Sequence, residues 1–85
     1  MSKTAIRAAV IEDDPIVLER LCRLIRESGD ITLIGSARNF ESGSALVDCG
    51  GYDVLMCDLG LPDGSGIDLI RKSVALNPQA DIIVV

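Results

Sequence analysis

Carboxylates are the residues of this chain whose types and spacing could do chemistry. Glu12, Asp13 and Asp14 follow directly on the aliphatic run Ile6–Ile11. Asp58 follows a second run, Val54–Cys57, and opens the stretch Asp58-Leu-Gly-Leu-Pro62-Asp-Gly-Ser-Gly66. Acidic groups crowded at the ends of buried strands repel one another, and a positive charge between them relieves that cost. A divalent cation is the natural counter-charge. Mg2+ fits better than Ca2+: it is satisfied by one or two carboxylates, waters and a phosphate oxygen, whereas Ca2+ takes more protein oxygens than this pattern offers. Screened by such an ion, an aspartate can attack phosphorus and hold an acyl phosphate. Histidine is absent, which removes imidazole base chemistry, imidazole metal ligation and a phosphohistidine donor role from this chain.

Each acid also has a structural reading. Asp14 immediately precedes Pro15, and Asp at the N-cap with Pro at the first helical position is a common helix start, so Asp14 is expected to cap. With that role taken, Asp13 is read as a metal ligand, and Glu12 as a ligand through water or an outer acid of the same site. Asp58 is either the reacting carboxylate or a turn-initiating aspartate, since Pro62, Gly64 and Gly66 follow closely. Ser65 is expected to cap the helix after it and Asp63 to be a solvated loop residue. Asp53, Asp68 and Asp81 read as surface or turn positions.

The elements that must position these acids are legible from periodicity. Ile6–Ile11, Ile31–Ala37, Val54–Asp58 and Asp81–Val85 are brief, aliphatic and bounded by Gly, Pro, Asp or Asn, as strands are. Pro15–Ser28 carries Val17, Leu18, Leu21, Leu24 and Ile25 on one stripe, opposite Glu19, Arg20, Arg23, Arg26 and Glu27, so it reads as an amphipathic helix stopped by Gly29. Phe40–Cys49, weakened by Gly43 and two serines, and Ile67–Leu76, ended by Asn77-Pro78, read as two further helices. The resulting β-α-β-α-β-α-β order implies a parallel sheet of right-handed crossovers with helices on both faces, a three-layer α/β fold. In such open sheets ligands bind beyond the carboxyl ends of the strands. That is where Glu12, Asp13 and Asp58 fall.

Composition narrows the rest. Eighty-five residues allow a single domain, 1–85, and the chain is 48% hydrophobic but only 2% aromatic, so the core is aliphatic. A net charge of −5 argues against direct contact with nucleic acid or an anionic membrane. Cys22, Cys49 and Cys57 are odd in number and far apart, which suits thiols in a reducing compartment better than a disulfide or zinc. No apolar stretch approaches the roughly 20 residues that span a bilayer, and the N-terminus lacks a signal-peptide core. A cytoplasmic location follows as the expectation.

Taken together, the acidic pair in Val10-Ile-Glu12-Asp13-Asp14-Pro15, the strand Tyr52-Asp-Val-Leu-Met-Cys-Asp58 and the pattern Asp58-x-x-Leu-Pro62-x-x-x-Gly66 resemble the receiver domain of bacterial two-component response regulators. The resemblance covers essentially the whole chain. It implies a flavodoxin-like sheet of strand order 2-1-3-4, which makes the first and third strands neighbours at the switch point. It also implies that Asp58 is the phospho-accepting residue, that Asp13 binds Mg2+ directly with Glu12 as the second acid, and that the Gly60 backbone carbonyl is a further ligand. The implied partners are a sensor histidine kinase as donor and an output domain, of the DNA-binding transcription-regulator kind, elsewhere in the protein. Arg20, Arg23 and Glu27 on the first helix are possible kinase contacts or simply a solvated face.

Gly64 stands where many family members carry a bulky apolar residue, and is expected to loosen the loop over the site. The chain also ends where such domains continue, so it reads as a receiver cut short after its fourth strand. The Ser or Thr, the fifth strand with its Lys, the switch aromatic and the last helices have no counterpart. The free aliphatic edge Ile82–Val85 is then expected to pair with a second chain, as a homodimer or strand-swapped dimer. Three alternatives compete: a non-signalling structural fragment, an aspartyl phosphatase and a flavin-binding domain. The phosphatase wants a second Asp where Gly60 stands, and the acids after the first strand would repel a nucleotide phosphate.

Overall fold

The computed structural model describes residues 5–85. Six strands and three helices follow in the order β1 (Ile6–Ile11), α1 (Pro15–Ser28), β2 (Ile31–Ala37), α2 (Phe40–Cys49), β3 (Val54–Cys57), β4 (Gly60–Leu61), β5 (Gly64–Ser65), α3 (Gly66–Leu76) and β6 (Asp81–Val84). β2, β1, β3 and β6 form a parallel sheet in that spatial order, so the expected 2-1-3-4 arrangement of the long strands holds. The sequence reading omitted β4 and β5, a two-residue antiparallel hairpin inside the loop after Asp58.

The sheet is buried on both faces because its central strand is apolar at every inner position. Ala9 and Ile11 point to one side, where they join Val47, Leu55, Cys57, Leu61 and Leu69 under α2 and α3. Ala8 and Val10 point to the other and meet Ile25 of α1. Between Ala8 and Ala9 the pairing with β2 slips by one residue, from Ala8 opposite Leu33 to Ala9 opposite Gly35. That bulge moves Ala37 to the α2 side although Leu33, four residues earlier, lies on the α1 side.

α1 covers its face incompletely. Cys22 and Ile25 are buried, but Leu24, which the helical stripe placed in the core, is 66% exposed. It lines an apolar groove of about 280 Å3 with Ile6, Ala8, Ile25, Ile31, Val54, Met56 and Ile83. No described helix is long and apolar enough to cross a membrane. The cysteines are free thiols: Cys22 and Cys57 serve as small buried apolar groups, and Cys49 is exposed.

The end of the sheet away from the acids is held by a small buried polar network. The Tyr52 hydroxyl lies 2.6 Å from the Ser73 hydroxyl, and the Asn77 side-chain amide donates to Tyr52 at 2.9 Å and to the Val47 carbonyl at 3.2 Å. This joins the start of β3 to the last turns of α2 and α3. Ser73 is fully buried, so removing its partner exposes the full cost of an unsatisfied hydroxyl. Tyr52→Phe is expected to lower stability by about 1–2 kcal/mol, read as a lower urea midpoint with an unchanged slope; an unaltered midpoint would show that the network carries no net stability.

Candidate functional site

The site begins where β1 and β3 end. Glu12 extends the sheet by one rung, its amide donating to the Ala37 carbonyl at 3.0 Å, and Asp58 does the same on the other flank, donating to the Ile11 carbonyl at 2.9 Å. These two bonds fix the backbone of both acids as part of the ladder. Oxygens of Glu12, Asp13 and Asp58 consequently lie within 4.8 Å of one another. None of the ion pairs among the described residues reaches them: those join Arg7 to Asp53, Arg23 to Glu19, Arg71 to Asp68 and Lys72 to Asp48.

The donor set fits a hard cation. A Mg2+ ion with bonds of 2.0–2.1 Å spans about 4.2 Å between opposite ligands, so small side-chain rotations would bring these oxygens onto one octahedron. Glu12 is 6% exposed, and one of its oxygens accepts the Asp14 amide at 3.1 Å. Burial first, and then the neighbouring Asp58 and Asp13, push its carboxyl above the ordinary value, against the opposing pull of that amide. Asp58 behaves oppositely. Burial works against its charge, yet hydrogen bonds from Glu12, the Gly60 amide, Asp13 and the Leu59 amide outweigh it and hold the carboxyl below the usual range. The Gly60 amide lies 3.2 Å from Asp58 Oδ1, so the turn-initiating role and a place in the acidic cluster coexist in one residue. Beneath the site the Cys57 thiol is pushed up to about 11 by burial, then by Asp58 and Glu12, which makes it an inert packing group.

The remaining acids sort themselves by their partners. Asp14 Oδ1 accepts the Ile16 and Val17 amides at 2.9 and 3.3 Å, the expected cap of α1. Ser65 caps α3 through the Ile67 amide at 3.2 Å. Asp53 takes the Arg7 amide at 2.8 Å and its guanidinium at 3.2 Å. Asp68 and Asp81 are surface residues. Asp63 is the exposed loop residue expected, but its two oxygens also accept the Phe40 and Glu41 amides at 2.5 and 3.1 Å, across more than twenty residues of sequence. Gly64 does not loosen the loop. A Cβ there would stand 2.6 Å from Phe40 Cδ2, so the missing side chain is the space the Phe40 ring occupies. The sequence reading did not anticipate these two contacts, since no local pattern announces a carboxylate that caps a distant helix.

Gly66 closes the loop onto the end of β3. A Cβ at this position would lie 1.9 Å from the Asp58 carbonyl oxygen and 2.8 Å from Leu59 Cα. Both are backbone atoms, so they could yield only by moving Asp58 itself.

Comparison with known proteins gives a consistent answer. A family model described as "Response regulator receiver domain" matches residues 8–85. The chain is 32% identical over 81 residues to "Transcriptional regulatory protein CitB" of Klebsiella pneumoniae, covering 95% of this chain and 35% of that protein. Among solved structures, a two-component response regulator of the LuxR family from Aurantimonas sp. SI85-9A1 superposes with a TM-score of 0.82 at 26% identity, covering 95% of this chain and 58% of the other. A response regulator from Burkholderia pseudomallei, solved with a phosphorylated aspartic acid, calcium ion and citrate, gives 0.83 at 26% identity, covering 93% and 45% respectively. The chain thus spans about a third of the curated relative and about half of each of these solved chains.

Two outcomes follow from this geometry. Gly66→Ala is expected to cost about 2 kcal/mol or more, because the clash is with backbone; a variant of wild-type stability in urea would show that the loop has slack it does not display. The second concerns pH. With its pKa raised on folding, Glu12 contributes stability in its protonated form, fully below the unfolded value and lost as pH rises through the folded one; Asp58, with its pKa lowered, has the opposite sign. A protonated Glu12 cannot help neutralise a cation, so apparent Mg2+ affinity is expected to fall as pH drops through the raised Glu12 value, which lies above the ordinary 4.5. Proton release, measured by calorimetry in buffers of different ionisation enthalpy, should accompany binding in that range and vanish in Glu12→Gln.

Proposed function

The chain belongs to the response regulator receiver domain family of two-component systems, and from that premise we propose that it accepts a phosphoryl group on Asp58. In this reading Asp13, Asp58 and the Gly60 carbonyl hold Mg2+, with Glu12 bound through water or standing just outside. A bound Mg2+ supplies charge neutralisation between the carboxylates and the incoming phosphoryl oxygens.

The chain's own residues do the rest. An Asp58 carboxylate oxygen attacks phosphorus in line, the new O–P bond forms as the bond to the donor breaks, and the donor leaves with the electron pair. The Gly60 and Leu59 amides favour the ionised and hence nucleophilic form of Asp58, and the strand rung from Asp58 to Ile11 prevents it from swinging away. Asp13 and Glu12 would help to anchor the cation.

The observation that carries the reading is the convergence of Asp58 with two further carboxyls at the ends of two adjacent strands. Further support comes from the phosphorylated aspartate named for the Burkholderia structure. The donor is proposed to be a sensor histidine kinase, since this chain has no histidine to phosphorylate itself. Transcription is the proposed output, exerted through a separate domain, as the names of the CitB and LuxR-family relatives suggest. A cytoplasmic location agrees with that assignment. The domain is a regulated substrate and not an enzyme in its own right.

Incubation with Mg2+ and acetyl phosphate, followed by intact-mass measurement, tests this directly. A single phosphoryl adduct is expected on the wild-type chain, labile to hydroxylamine, and none on Asp58→Asn. An adduct that persists in Asp58→Asn would place the acceptor elsewhere, and no adduct on either form would remove the acceptor role from these residues.

A further inference from the structure

The first turn of α2 has an unusual set of acceptors. A helix begins with amides that lack intrahelical partners. Here the first i to i−4 bond is Gly43 to the Asn39 carbonyl at 2.9 Å. Ser42 is satisfied by the Asn39 side chain at 2.8 Å, the ordinary local cap. The Phe40 and Glu41 amides are instead taken by Asp63, which sits in the turn between β4 and β5. On the same side Gly64 leaves the room into which the Phe40 ring packs.

These contacts close a ring around the acidic site. From Glu12 the chain of bonds runs through its amide to Ala37 at the end of β2, along two residues to Phe40, and across to Asp63. It continues through the hairpin rungs Leu61–Gly64 and Gly60–Ser65, then through the Gly60 amide to Asp58, whose oxygens approach Glu12. The Asp63 link is the one place where the acceptor loop is hydrogen-bonded to α2 among the described residues.

We infer that Asp63 is a positioning residue of the acidic site: by holding the first turn of α2 it sets where the hairpin carries Gly60, and so how well Asp58 and its neighbours receive a cation. The inference rests on the acceptor reading of Asp58 and extends it to a surface outside the site. Coupling of this kind is reciprocal. If Asp63 improves Mg2+ binding, then Mg2+ must in turn tighten the Phe40 and Glu41 amides. Ion occupancy, and later phosphoryl occupancy, would be reported at the N-terminal end of α2.

The test is a titration of the 85-residue chain with Mg2+ alone, followed by amide NMR and hydrogen exchange. The wild type is expected to bind Mg2+ with slower exchange at Phe40 and Glu41. Asp63→Ala should weaken binding by about 10-fold, the lower end of the range for groups that orient metal ligands, and abolish that slowing. Asp63→Asn also lacks the charge but keeps one accepting oxygen, so it should recover part of the loss. Asn39→Ala removes the local cap alone, and should loosen α2 while leaving Mg2+ affinity unchanged.

Equal losses in Asp63→Ala and Asp63→Asn would reduce the effect to net charge and overturn the inference. So would matching losses in Asn39→Ala and Asp63→Ala, which would make Asp63 a helix cap and nothing more, or wild-type affinity in both Asp63 variants. If the wild type binds Mg2+ with this pattern yet takes no phosphoryl group, the acceptor reading falls and the positioning role stands. If it shows no response to Mg2+, both fall.

Discussion

Three carboxyl groups held within 4.8 Å of one another repel, and the rest of the structure depends on withstanding that repulsion. At such separations a pair of like charges costs about 3–4 kcal/mol at an effective dielectric near 20, a large share of what a domain of this size has to spare. Two devices contain it. Glu12 is biased toward its neutral form by burial and by its neighbours, which lowers the charge of the cluster without moving it. The bonds from Glu12 to Ala37 and from Asp58 to Ile11 extend the parallel ladder past the last strand residues, so the backbone cannot splay to separate the acids. A cation bound among these carboxyls would relieve the same repulsion.

The two faces of the sheet differ in how they are covered. Under α2 and α3 the core is continuous, and it includes Leu61 from the acceptor loop and Cys57 next to Asp58. The loop is thus anchored in the core as well as by the bonds of its backbone. At the other end of β3, Tyr52 ties the strand to α2 and α3 through Ser73 and Asn77. β3 is held at both ends on the side that supports Asp58. The α1 face carries a groove and an exposed Leu24.

Much of this was legible in the sequence because it is local. Ile6–Ile11, Pro15–Ser28 and Ile31–Ala37 could be bounded to the residue, since their signals lie inside the segment or beside it: aliphatic runs, a helical stripe, Asp14-Pro15 at one end and Gly29 at the other. The acidic cluster was legible too, because strands that run parallel must put their carboxyl ends together. What failed to show depends on pairs far apart in the chain. Asp63 looks like any loop aspartate until α2 is brought to it. Gly64 looks like slack until the Phe40 ring fills the space. The bulge in β2 breaks the two-residue alternation, so Leu33 and Ala37 share a face in the sequence and opposite faces in the fold. Leu24 satisfied the helical stripe, but in the fold it lines an open groove beside the sheet residues Val54, Met56 and Ile83.

The opposed behaviour of Glu12 and Asp58 bears on which carboxyl can do which task. The bond between them raises Glu12 and lowers Asp58, and what else each one touches adds to that difference. Glu12 is the more deeply buried and has one amide donor, from Asp14. Asp58 faces two amides of the loop that follows it, Leu59 and Gly60. Amides donate and cannot accept, so they favour whichever group is ionised. A sequence that places a strand before the acid and a turn after it therefore selects that acid as the anionic one. An acid at a strand end that runs straight into a capped helix, as Glu12-Asp13-Asp14 does, gives its nearby amides to the cap instead, with Asp14 taking Ile16 and Val17. On the acceptor reading, the nucleophile is Asp58 because of the turn behind it, and the acids after β1 are left to gather the positive charge that the nucleophile requires.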